Sequence, residues 1–373
     1  MDRFYHQLHD LLQAGESVAV ATVVATRGST PREVGAKMIV RRSGATVGTV
    51  GGGCGEAQVW RTALQVLDTG ASQGISVDLT EEVHLEAAGA CGGTMELWVE
   101  PWLGEVESPD ARVARLLAES QGRRQSVVLA TVAAGSGSSC PSARRAVVST
   151  EAVLLSGLGP VLPEGWLLRE AAAALELEGG RFATYEAAAQ GPHDELATVR
   201  LWLEPVKPPP RLMVLGAGHI ALPLVAMGRL LGFQVAVLDD RAAFANRERF
   251  PEADTVLAAD FGDGIRRLGV DRDSYVVLVT RGHRHDVECL RQLVGRESAY
   301  LGMIGSRRRV KGVFDLLQRE GAPVEGLRRL HAPIGLDLGA RTPAEIALSI
   351  VAEIVKVRRG GMARSLSDRG TRQ

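Results

Sequence analysis

Two cysteines in the first hundred residues stand inside glycine turns, Gly51-Gly52-Gly53-Cys54-Gly55 and Cys91-Gly92-Gly93. Glycine lets a backbone approach a ligand closely and adopt dihedrals that a Cβ forbids, so a thiol in such a turn is reachable by a bulky partner. Val59, Ala63, Val66 and Leu67 recur at helical spacing after Cys54, and Gly70 ends the run. This places Cys54 where a helix begins. A helix N-terminus carries partial positive charge and free amide donors, which favour a thiolate and accept phosphate. The predicted chemistry is a soft nucleophile or sulfur ligand at Cys54 and Cys91. It sits beside an anion-binding turn at Gly51, Gly52 and Gly53, with Gly92 and Gly93 as further candidate cofactor contacts; 37 positions separate Cys54 from Cys91, and their distance in space stays open. Cys140 and Cys289 lack glycine neighbours and read as small buried hydrophobes.

Donors for an anionic ligand lie nearby. Arg27-Gly28-Ser29-Thr30-Pro31-Arg32 is a turn with two guanidinium groups, and Lys37 opens the next apolar run. Arginine forks match phosphate oxygens in a bidentate manner. Arg27, Arg32, Lys37 and the Cys54 turn are expected to converge on one edge. In the last third of the chain, Gly216-Ala217-Gly218-His219-Ile220-Ala221 directly follows an apolar strand over residues 211–215. This is the GxGxxA pattern in its expected setting, with Gly216, Gly218 and His219 at the turn. Asp239 stands about 20 residues on, where a ribose-binding carboxylate is expected. The loops Thr280-Arg281-Gly282-His283-Arg284-His285-Asp286 and Gly305-Ser306-Arg307-Arg308-Arg309 lie at carboxyl ends of strands, where open α/β sheets bind ligands. From these, His283 and Arg307 are candidate ligand contacts. No spacing identifies a set of metal ligands, so no metal site is assigned.

These residues need elements to hold them. Residues 18–24 are β-branched and apolar, as in a strand buried on both faces, and a hairpin around Ser43-Gly44 leads into the triple-glycine turn. After residue 211, five apolar strand candidates alternate with helical patterns, predicting a parallel, doubly wound, Rossmann-like sheet. Thr342, Pro343 and Glu345 supply the cap, the first helical residue and the capping box of a last helix.

An internal repeat organises the first half. Residues 17–31 (SVAVATVVATRGSTP) resemble residues 126–141 (SVVLATVAAGSGSSCP), and residues 96–101 (ELWVEP) resemble residues 200–205 (RLWLEP). One α+β unit of about 100 residues is expected to be duplicated. The second copy lacks the reactive turns, as a supporting half would. The fold class expected is α/β, with boundaries at 1–104 and 105–205 for the two copies. A proline-rich linker spans 206–210, the Rossmann-like domain 211–359, and a disordered tail 360–373.

Composition excludes several functions. The 373 residues carry 43 basic and 44 acidic side chains and 4% aromatics, so neither a nucleic-acid field nor a base-stacking platform is expected. Four cysteines without CxxC spacing suggest a reducing compartment. No apolar run is long enough for a bilayer, and a cytoplasmic protein, with a homodimer as the prior for its assembly, is expected.

The segments ATRGSTPREVGAKMIV, TVGGGC, CGGT, VLGAGHIA, VTRGHRHD, YLGMIGSRRR and HAPIGLDLGARTPAEIALSI together resemble the XdhC/CoxI family over residues 10–102 and 211–357. These are accessory proteins of molybdenum hydroxylases. The resemblance implies a non-catalytic chaperone that transiently binds the molybdopterin cofactor. It would assist exchange of an oxo ligand for sulfur with a cysteine desulfurase, then pass the cofactor to the apo molybdenum hydroxylase. It assigns the cofactor phosphate to Arg27, Arg32 and the Gly51–Gly53 turn, and the soft metal and its sulfur to Cys54 and Cys91. The Rossmann-like domain would hold a nucleotide, NAD(P) or nothing. Two alternatives stay open: an NAD(P)-dependent oxidoreductase built on Gly216, Gly218 and Asp239, and a metal-dependent enzyme using the 283–286 loop.

Overall fold

The chain forms two compact units, Met1–Pro208 and Pro209–Gln373, parted in the proline run. A computed structural model of the chain describes residues 4–79, 92–133, 139–141, 144–158, 162–186, 198–365 and 367, with Cys54 and residues 139–141 described by their backbone alone. Cys91 therefore lies outside the described residues.

In the first unit the elements run α1 (Phe4–Gln13), β1 (Val18–Arg27), β2 (Lys37–Arg41), β3 (Thr46–Gly48), α2 (Gly53–Thr69), β4 (Ala71–Asp78), β5 (Thr94–Trp102), α3 (Pro109–Gly122), β6 (Val127–Val132), β7 (Ser139–Pro141), β8 (Arg145–Val148), β9 (Val153–Ser156), α4 (Glu164–Leu175), β10 (Arg181–Glu186) and β11 (Thr198–Val206). Two antiparallel sheets result, ordered β3-β2-β1-β5-β4-β7 and β10-β11-β6-β8-β9. Reversed, the second sheet reads β9-β8-β6-β11-β10. Strand for strand this is the order β3-β2-β1-β5-β4, and each copy carries one helix, α2 or α4, between its third and fourth strands. The strand β7 departs from that correspondence: it leaves its own half and pairs with β4 through Ala71↔Pro141 and Gln73↔Ser139.

Alternation along the strands divides the core. Val18 and Val20 of β1 and Val127 and Leu129 of β6 join α1 and α3 in one cluster. The intervening Ala19, Ala21 and Val23 face α2, and Val128 and Ala130 face α4. Residues 1–104 and 105–205 thus share one cluster between them, and each also packs one of its own around α2 or α4. Buried charges cross between the halves at matching positions. Lys37, opposite Thr22 on β1, places Nζ 2.6 Å from Glu204 of β11 and donates to the Thr22 hydroxyl at 2.6 Å. The Tyr5 hydroxyl donates to the same Glu204. Burial, then the Glu204 charge, pushes that phenol well above its ordinary pKa. Arg145, opposite Thr131 on β6, lies 2.9 Å from Glu100 of β5, pairs with Asp110 and stacks 3.9 Å over Trp102.

The second unit runs β12 (Arg211–Leu215), α5 (Ala221–Leu230), β13 (Gln234–Asp239), β14 (Thr255–Ala258), α6 (Phe261–Leu268), β15 (Ser274–Leu278), α7 (His283–Leu293), β16 (Tyr300–Met303), α8 (Arg307–Arg319), α9 (Val324–Arg328), β17 (Leu330–His331) and α10 (Pro343–Arg359). Its sheet is parallel, ordered β14-β13-β12-β15-β16-β17. This is the doubly wound order with its reversal between β12 and β15. Leu212 and Val214 face α5 and α10, while Met213 and Leu215 face α6, α7 and α8. Both halves of the capping box at Thr342 and Glu345 are formed. The strand β17 is not among the five expected from sequence, because two residues are too few to show a period. No helix of the described residues is long and apolar enough to cross a membrane.

Candidate functional site

In the first unit the fold gathers three glycine segments at one end of a sheet. Arg27, the last residue of β1, pairs with Thr94, the first of β5, which sets the Arg27–Pro31 turn beside Gly92 and Gly93. Contact there is backbone on backbone. A Cβ on Gly93 would stand 2.5 Å from the carbonyl oxygens of both Arg27 and Ser29, and one on Gly28, where φ is +71°, 2.7 Å from the Gly92 carbonyl. The third segment arrives from β3. Gly51 packs on Pro31 and Met95, and Gly55 packs on Val77 and Leu79, while the Leu79 N–H donates to the Gly93 carbonyl at 2.9 Å. Cys54 is the second residue of α2, which starts after Gly52 with no side-chain cap and closes at Gly70 in the left-handed region.

Arg27 and Arg32 are exposed, and among the described residues neither guanidinium has an ion-pair partner. Lys37 does not join them. Its ammonium is buried against Glu204 and Thr22, and the expectation of a third ligand-binding cation is corrected on that geometry. The reason is register, because β2 antiparallel to β1 sets Lys37 opposite Thr22, well inside the sheet. One acid was missed. Glu56, in the first turn of α2, stands 2.8 Å from the Thr49 hydroxyl, which accepts the Gly51 N–H at 3.1 Å. The signal available for it is a carboxylate in a helix's first turn. The second half contacts the segment that follows Arg32, since Gly179 lies against Val34, which packs with Trp98, Trp202 and Phe182.

In the second unit the predicted residues collect at the carboxyl ends of the strands. Gly216, φ +111°, ends β12 so close to β15 that a Cβ would meet the Val279 carbonyl at 2.6 Å. His219, His283 and Arg307 are exposed. Asp239 is buried and held by its own chain: its carboxylate accepts the Ala217 N–H at 2.7 Å and a fork from Arg241 at 2.8 and 3.0 Å. Asp286 is fully buried, accepting from the Thr280 hydroxyl and from Arg309, so it ties the 280–286 loop to α8. Cys289 is buried, and desolvation first, then nearby carboxylates, pushes its thiol far up. Among the described residues no three His, Cys, Asp or Glu side chains come together as metal ligands would.

A half-buried carboxylate, Glu353, anchors the segment HAPIGLDL to α10. Glu353 accepts from the Tyr300 hydroxyl at 2.5 Å and from the Gly335 N–H at 2.9 Å, with His331 Nδ1 3.6 Å away and the His331 ring stacked on Tyr300. Burial raises the Glu353 pKa, but hydrogen bonds from His331, Tyr300 and Gly335 outweigh it and hold the group at about 2. For Asp239 burial is likewise outweighed, by Arg241 and the Ala217 N–H, and its pKa also falls to about 2. Both native values lie below the ordinary 4.5 and 3.8. Their contribution to stability is therefore complete above those values and lost as pH falls toward 2. The native chain's advantage in melting temperature over a D239N/E353Q chain should shrink steadily across that window. An advantage that does not change with pH there would contradict the assignment.

Comparison with known proteins gives a consistent picture. The sequence model of the XdhC Rossmann domain matches residues 212–354, and that of the XdhC and CoxI family matches residues 11–79. The chain is 27% identical to a Bacillus subtilis (strain 168) protein described as a probable xanthine dehydrogenase subunit, over 96% of this chain and 98% of that one. It is 23% identical to the molybdenum cofactor insertion chaperone PaoD of Escherichia coli (strain K12), over 94% and 86% of the respective lengths. The uncharacterized protein YqeB of Escherichia coli (strain K12) is 39% identical across 40% of this chain, and the chain spans only 27% of its length. A crystal structure described as a xanthine dehydrogenase from Bacillus halodurans superposes over 98% of both chains, with a TM-score of 0.74 at 25% identity.

Proposed function

The chain belongs to the XdhC/CoxI family, and from that premise we propose that it binds the molybdenum cofactor as cargo, assists its sulfuration and delivers it to an apo molybdenum hydroxylase. The observation that carries this reading is the meeting of the Arg27–Pro31 turn, the Gly51–Gly53 turn and Gly92–Gly93 at one end of the first sheet. The pterin's phosphate would lie against the exposed Arg27 and Arg32, whose forks suit phosphate oxygens, and against the uncapped N-terminus of α2. Cys54, in the first turn of that helix, stands where a thiolate is favoured. Cys91 adjoins Gly92 in sequence, and thiolates at both positions suit a soft metal and its sulfido ligand. The sulfur would come from a cysteine desulfurase. Similarity to PaoD along nearly the whole chain supports the same reading.

The equal strand orders, together with ion pairs exchanged at matching positions, support a duplicated N-terminal unit. In it the second copy adds β7 to the first sheet and packs Gly179 against Val34.

The test uses molybdenum cofactor released from a holo-hydroxylase. The purified chain should retain it through gel filtration, and C54A/C91A should lose at least about ten-fold in affinity. Full retention by the double variant would remove both cysteines from the site.

A further inference from the structure

We infer that the C-terminal unit, although it has the strand order and glycine turn of a dinucleotide-binding fold, does not take a nicotinamide dinucleotide, because the carboxylate that would read the ribose is already used as an internal latch. A carboxylate offers about four lone-pair positions. In Asp239, Oδ1 accepts the Arg241 N–H at 3.1 Å and Arg241 Nε at 2.8 Å. Oδ2 accepts the Ala217 N–H at 2.7 Å and Arg241 Nη2 at 3.0 Å. Every position is filled, and the side chain is 3% exposed. A ribose diol arriving here would find no acceptor unless it displaced a bidentate, charge-assisted fork.

That fork is itself held in place. The Arg241 guanidinium lies 3.7 Å over the Phe244 ring, and Arg249 approaches the same ring at 4.9 Å. Arg249 Nη1 donates to the Ala217 carbonyl at 2.8 Å. Both backbone polar groups of Ala217, the middle of the glycine turn, are therefore satisfied by side chains from the end of β13 and the segment after it. Asp239 and Arg249 hold the turn from its two sides.

A second feature, a solvent-exposed ion pair, lies across the same path. Asp240 follows β13 and Arg281 follows β15, the two strands flanking β12, and their side chains pair at 2.8 Å. The pair spans the carboxyl end of β12, where a pyrophosphate would cross to the switch point. The glycine turn therefore serves close packing of β12 on β15, since a Cβ on Gly216 would meet the Val279 carbonyl oxygen at 2.6 Å. This inference is independent of the cofactor site proposed in the first unit.

Titration of the full-length chain with NADH and NADPH by fluorescence, and with NAD+ and NADP+ by calorimetry, should give no saturable binding into the millimolar range. D239N, which removes an ionised acceptor from the latch, should lower the melting temperature of the C-terminal unit in differential scanning calorimetry. Saturable one-to-one binding of any of the four dinucleotides to the native chain overturns the inference. So does a D239N chain that melts where the native chain does.

Discussion

Arg145→Met should destabilise the N-terminal unit by about 3–5 kcal/mol, the usual cost of removing one partner from a buried ion pair. The guanidinium is 2% exposed and is shared by Glu100 and Asp110, donates to the Pro101 carbonyl at 2.9 Å and sits over the Trp102 ring with its carbon 3.9 Å from the centroid. Methionine keeps part of the apolar stem but leaves the buried Glu100 and the half-buried Asp110 without a counter-charge. One of these begins α3, so the change also loosens the helix that joins the two sheets. Replacing the whole cluster, R145M/E100Q/D110N, should recover much of the loss, because the penalty lies in the orphaned charges and not in the absence of the pair. All five tryptophans fall at positions 60, 98, 102, 166 and 202, within the first unit, so their fluorescence in a denaturant titration reports this unit alone. A loss below about 1 kcal/mol, the range of a surface pair, would mean that the cluster is solvated.

Gly93→Ala should lower affinity for released molybdenum cofactor at least about ten-fold while the sheets still form. A Cβ there would meet two carbonyl oxygens at 2.5 Å and the Ser29 carbonyl carbon at 2.9 Å. These are backbone atoms, and no rotamer change can move them aside. The Arg27–Ser29 turn must shift, and with it the guanidinium proposed to meet the phosphate. Gly122→Ala is the control. Gly122 ends α3, outside the proposed site, and a Cβ on it meets nothing within 4 Å, so the variant should keep both fold and affinity. Equal affinity in G93A and G122A would separate the cofactor site from the Arg27–Ser29 turn.

The elements of the C-terminal unit were readable because each is specified locally. Apolar strand runs alternate with helical patterns, a glycine turn follows the first strand, and a capping box opens the last helix. The family resemblance rests on several separate motifs and was equally readable. The glycine turns that meet around Cys54 were also readable, since glycine marks close backbone approach wherever it occurs. The fate of individual charges was not. Lys37 and Arg32 look alike in sequence, yet one lies buried against Glu204 and the other stands in solvent. Asp239 occupies the ribose-reading position, and only Arg241 folding back on it shows that its lone pairs are taken.

By itself, then, the amino-acid order made the main strands and helices of the C-terminal unit, the glycine turns and the family legible, because periodicity, capping and glycine placement act over a few residues. Tertiary structure alone decided which ionisable groups remain available to a ligand. Ion-pair partners such as Glu204 for Lys37 lie well over a hundred residues away in the chain, and a charge is committed or free according to which partner the fold brings within about 4 Å of it.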